Sequence, residues 1–70
     1  MDSRRLGRRI RAFRKLKGYT QQELADRAGI SLAVLGAVER GNRRSEDQIL
    51  DKIAMVLGVG VDELTDSPSI

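Results

Sequence analysis

Seventy residues make one domain, close to the lower limit at which an aliphatic core suffices without staples. The absence of cysteine and histidine removes disulfides, thiolate metal sites and the commonest general base, so the chain reads as no enzyme, with no metal and no cofactor. The net charge of +3 is unevenly placed: residues 1–19 hold eight Arg/Lys against Asp2, whereas residues 45–70 hold Lys52 against six acids, which suits a molecule presenting one face to a polyanion.

A first helix is expected over Ser3 to Lys17, where Leu6, Ile10 and Phe13 recur at helical spacing and Gly18 supplies a left-handed stop. Arg4, Arg5, Arg8, Arg9, Arg11 and Lys15 mostly cover its other faces. Thr20-Gln21-Gln22-Glu23 is a capping box that opens a second helix. That helix turns Leu24, Ala25 and Ala28 inward and stops at Gly29. Ser31 is placed to cap a third helix over about residues 32–40, with Leu35 and Val38 inward and Val34 at the margin. Only Gly29 and Ile30 separate the second helix from this cap, and so tight a link imposes helix-turn-helix geometry.

Ser45-Glu46-Asp47-Gln48 is a second capping box, and its acids suit the positive end of a fourth helix. Ile49, Leu50, Ile53, Ala54 and Leu57 form that helix's inward stripe, and Gly58 ends it. Val61-Asp62-Glu63-Leu64 suits a short fifth helix. The chain therefore reads as an all-α compact bundle of five short helices over residues 1–65, with residues 66–70 a flexible tail or the start of a linker. No apolar run approaches the roughly 18 residues of a membrane span, and the N-terminus lacks the apolar core of a signal peptide, so a cytoplasmic protein without a membrane partner is expected. Phe13 and Tyr19 are the whole aromatic supply. Single strands are gripped by stacking bases on aromatic rings, so a nucleic-acid partner would be a duplex.

Residues 21–41, QQELADRAGISLAVLGAVERG, resemble the helix-turn-helix of phage repressor and Cro-type (XRE-like) DNA-binding domains. Gln21 opens the second helix, Ala25 is the small residue where two helices touch, and Gly29 is the turn glycine. Leu24, Ile30, Leu35 and Val38 occupy apolar positions of the motif, and Glu39-Arg40-Gly41 matches its helix end. The flanking segments LGRRIRAFRKLKGYT and LDKIAMVLGVGVDEL extend the likeness over about residues 5–65. The resemblance implies a lambda repressor-like fold and sequence-specific binding of double-stranded DNA by a transcriptional regulator, most readily a repressor. It further implies a homodimer on a pseudo-palindromic operator, with the third helix in the major groove. Thr20, Gln21 and Gln22 would sit at the phosphate-facing start of the second helix. An arginine of the first helix and the glutamate ending the third form an ion pair in this family, which implies a structural pair of Arg14 and Glu39. Antitoxins and restriction controllers share the architecture, and an effector domain or protein partner could lie outside this chain.

With Leu35 and Val38 inward, Leu32, Ala33, Gly36, Ala37 and Arg40 turn outward. Glutamine, serine or arginine are common in the family at the first four of these positions, and this chain has none of them there. Small residues would let the helix backbone approach the groove floor, with apolar side chains against thymine methyl groups, favouring thymine-containing half-sites. Polar contacts would then come from the helix ends, Ser31 at the start and Arg40, Asn42, Arg43 and Arg44 at the finish. The alternative is that Leu32, Ala33, Val34, Gly36 and Ala37 form an apolar patch of a protein–protein interaction module, antitoxin-like or partner-binding. Met55, Val56, Val61, Leu64 and Ile70 are candidate dimer surfaces.

Overall fold

The computed structural model describes residues 3–42 and 47–65. Within them the chain forms α1 (Ser3–Leu16), α2 (Gln21–Ala28), α3 (Leu32–Glu39), α4 (Asp47–Leu57) and α5 (Val61–Thr65). The order, type and approximate limits match the five expected helices. Ser45 and Glu46 of the second capping box, and the tail at 66–70, lie outside the described residues.

Local chemistry sets the helix limits. Thr20 is extended (φ −75°, ψ 166°), its hydroxyl accepts the Glu23 amide at 3.0 Å, and the Glu23 carboxylate accepts the Thr20 amide at 3.0 Å. Two amides that the helix leaves unpaired are thereby satisfied. Ser31 caps α3 in the same way, accepting the Val34 amide at 3.1 Å. At the other end of α2, Gly29 takes φ 69°, a left-handed conformation that a β-carbon would penalise. The Ile30 amide then reaches back to the Ala25 carbonyl at 3.0 Å, closing the helix in a Schellman turn.

Helix α1 crosses the bundle, packing on α3, α5 and α4, while α2 packs on α3 and α4. Leu6 and Ile10 of α1 enter one continuous core with Leu24, Leu35, Val38, Ile53 and Leu57. Phe13, expected inward, and Ile49 are only half-buried against its edge. Leu64 is fully buried, so it holds α5 to the core and offers no dimer surface. Val56 and Val61 are half-buried against the core, whereas Met55 is 81% exposed. Arg9 ties α1 to the end of α5 by donating from Nε to the Glu63 carbonyl at 2.6 Å. Such a cation at a helix C-terminus meets the negative end of the helix dipole.

A feature without a sequence expectation is Gly7 in the middle of α1. A β-carbon there would fall 2.5 Å from the Val38 carbonyl oxygen and also against that of Glu39. Glycine therefore lets α1 lie directly against the end of α3, which fixes that end relative to the bundle.

Candidate nucleic-acid interface

The end of α3 is held by a buried ion pair. Glu39 is its last residue, a carboxylate at the negative end of a helix, an electrostatically poor position by itself. Arg14 answers it: Nε lies 2.8 Å from Glu39 Oε2 and Nη2 lies 3.2 Å from Oε1. The third guanidinium nitrogen, Nη1, donates to the Tyr19 carbonyl at 2.8 Å. Both partners are 8% exposed, so the fork geometry is held by packing as well as by charge. Gln21 joins from α2, its Nε2 donating to Glu39 Oε1 at 3.1 Å. One carboxylate thus ties α1, α2 and α3 together. Gln21 is half-buried and spends one amide donor on this network, leaving a second for a ligand.

Above this network lies an open cleft lined by Arg11, Arg14, Thr20, Gln21, Gln22, Leu32 and Arg40. It gathers the start of α2, the start of α3 and the arginine that follows α3. Thr20 and Gln22 are exposed there, and Gln22 is steadied by donating to Asp26 Oδ1 at 2.9 Å. Arg11 was expected only to cover an outer face of α1. Its place in the cleft follows from its spacing, one turn before Arg14, the residue that meets Glu39. The Glu23 carboxyl sits below its usual range, first because it accepts the Thr20 amide, then through the Thr20 hydroxyl and the nearby Arg27. It stays ionised within the cap, while the Arg27 guanidinium rests over the Tyr19 ring at 4.8 Å from its centre.

On α3, Ser31, Leu32, Ala33 and Arg40 are exposed as expected, and Leu32 reaches 42%. Ala37 is half-buried. Gly36 departs from expectation: it is buried although it lies on the outward stripe. A β-carbon built on Gly36 would meet the Arg40 guanidinium, 3.0 Å from Nη1 and 3.9 Å from Cζ. The side chain of Arg40 has folded back along the helix and covers the glycine. The outward face is therefore not smooth at its centre.

Asn42 follows Gly41, which takes φ 75°. The turn uses only Asn42's backbone, whose amide donates to the Ala37 carbonyl at 3.0 Å. At the equivalent place after α1, α2 and α4 stand Tyr19, Ile30 and Val59, each packed against the core. Asn42 instead is exposed, and among the described residues its side chain has no hydrogen-bond partner. Turn formation alone gives no reason for asparagine there. Arg43 and Arg44 lie outside the described residues.

Five helices with a short α2–α3 link, an N-terminal cap on each of those two helices and a cation-lined cleft between their starts define a helix-turn-helix domain of the lambda repressor-like class. Comparison with known proteins gives the family: residues 10–64 match the helix-turn-helix family model. The chain belongs to the helix-turn-helix, XRE-type family of DNA-binding transcriptional regulators. It is 53% identical over 64 residues to the HTH-type transcriptional regulator YazB of Bacillus subtilis, covering 91% of this chain and 93% of YazB. It is 40% identical over 62 residues to SinR of the same organism, covering 87% of this chain but only 56% of SinR. The structure of SinR, described as the master regulator for biofilm formation, in complex with DNA superposes with a TM-score of 0.84 at 40% identity. That match covers 87% of this chain and 98% of the SinR chain. The restriction-modification controller protein C.AhdI from Aeromonas hydrophila gives 0.87 at 35% identity, covering 90% and 96% of the two chains. No helix among the described residues is long and apolar enough to cross a membrane.

Proposed function

We propose that this protein is a sequence-specific duplex-DNA-binding regulator, a repressor acting as a symmetric dimer with α3 in the major groove. The observation that carries this is the cleft in which the start of α2, Arg11, Gln21 and Arg40 converge beside the exposed face of α3. Amides at a helix start and cationic side chains are the groups that position a phosphate backbone. The likeness to SinR, whose solved complex contains DNA, supports the same use of this face. In the proposed complex Thr20, Gln21, Gln22 and Arg44 hold phosphates. Ser31, Leu32, Ala33, Ala37, Arg40, Asn42 and Arg43 face base edges, with Leu32 and Ala33 suited to thymine methyl groups. Two copies of α3 would enter successive major grooves about 34–36 Å apart on a pseudo-palindromic site.

The test is a selection from random duplexes, repeated at several salt concentrations, with Ala37→Glu beside the unchanged protein. The expected result is a two-fold-symmetric site whose affinity falls steeply with salt. Ala37→Glu should abolish enrichment, because it sets a carboxylate against the DNA. If the unchanged protein enriches no sequence, and Ala37→Glu instead releases a co-purifying protein, the outer face of α3 is a protein-docking surface.

A further inference from the structure

Glycine inside a helix is unfavourable, and an outward-facing one has no packing reason to persist. Gly7 has such a reason in the carbonyls of α3, but around Gly36 the position a β-carbon would take meets, within 4 Å, only Arg40 among the described residues outside its own helix backbone and chain neighbours. The direction is set by helix geometry. Side chains lean toward the N-terminus, so a residue at i+4 covers the surface beside residue i. Arg40 also lines the cleft with Leu32, which places its guanidinium toward the start of α3 and away from the helix exit. Among the described residues no carboxylate or carbonyl engages that guanidinium. Among those residues it is an unspent planar fork, held against the centre of the face.

We propose that Gly36 is a positioning residue for specificity: the notch left by its missing β-carbon seats Arg40 at mid-helix, where the guanidinium reads a guanine edge. Two parallel donors match guanine O6 and N7 in the major groove, the commonest specific contact to a base. Seating the side chain before binding reduces the rotamer freedom lost on contact. The expected half-site thus carries one guanine opposite the middle of α3, beside the thymine-favouring surface of Leu32 and Ala33. The proposal rests on duplex-DNA binding by this face.

The experiment is a base-by-base affinity scan of the selected duplex with the full chain and three variants: Gly36→Ala, Arg40→Ala and the double substitution. The unchanged protein should prefer guanine at one position of each half-site by roughly 5- to 150-fold, the span of one bidentate pair. Arg40→Ala should remove that preference and leave the others. Gly36→Ala should reduce it at least about threefold while raising the thermal midpoint, since alanine is the better helix former. A merely structural glycine would not separate these two readouts. In the double variant Gly36→Ala should add nothing to the loss at that guanine, because the residue it acts through is gone.

In the unbound protein, nuclear Overhauser contacts between the Gly36 α-protons and the Arg40 side chain should be present. Their absence overturns the seating. An Arg40→Ala loss that is equal for all bases makes Arg40 a phosphate contact and overturns the guanine assignment. An unchanged guanine preference in Gly36→Ala overturns the notch. Failure of the unchanged protein to enrich any duplex is a different outcome, which removes DNA binding itself.

Discussion

The ion pair beneath the cleft gives the most decisive test of how α3 is held. Glu39→Ala would leave the Arg14 guanidinium, 8% exposed, with the Tyr19 carbonyl as its remaining partner. It removes two charge-assisted bonds, of 2.8 and 3.2 Å, and also the acceptor of Gln21 at 3.1 Å. Stranding one member of a buried pair costs about 3–5 kcal/mol. A 70-residue domain at about 0.05–0.15 kcal/mol per residue has a total stability of about 3.5–10 kcal/mol. The substitution should therefore remove about 30% or more of the stability, and bring the least stable end of that range to the edge of unfolding. Urea titration followed by far-UV ellipticity measures it directly. The pair differs from its components in a second way: replacing both members, Arg14→Met with Glu39→Leu, removes both buried charges and should return stability to within about 2 kcal/mol of the original. A Glu39→Ala loss below about 1 kcal/mol, the worth of an exposed pair, would refute the reasoning. So would a double replacement as unstable as Glu39→Ala alone.

Two further outcomes follow from the same geometry. Gly7→Ala should lower the thermal midpoint, a net loss of about 1 kcal/mol, because overpacking against the α3 carbonyls outweighs the gain in helix propensity. The same change at Gly36, facing only a movable guanidinium, should raise it. Thr20→Ala should move the Glu23 carboxyl only part of the way back up toward its ordinary value in a carboxyl-carbon NMR titration, since it removes the hydroxyl bond but keeps the backbone amide that lowers the value most. The folded-state value lies below the unfolded one, so this capping contribution is present above the usual carboxylate range. It is lost as pH falls through the depressed value.

Much of this protein was determined by its sequence taken alone. Apolar residues at helical spacing, the Thr20 capping box, the Ser31 cap and glycine exits at 18, 29, 41 and 58 specify the helices, because these signals act within a few residues of chain. The short Gly29-Ile30 link determined the helix-turn-helix for the same reason. Other features involve residues far apart in sequence and were decided by tertiary structure. Arg11 entered the cleft because it stands one turn before Arg14, which the packing of α1 against the end of α3 brings to Glu39, a long-range contact that local periodicity does not encode. Gln21 proved to share its amide with the Arg14–Glu39 pair, 18 residues from its acceptor. Gly7 owes its presence to carbonyls more than thirty residues away. Gly36 is the instructive case, since its partner lies only four residues on. The pattern placed it outward, but burial depends on where the Arg40 rotamer settles, and side-chain packing selects that rotamer. The sequence presents a bare outer face on α3; the folded chain lays an arginine across its middle.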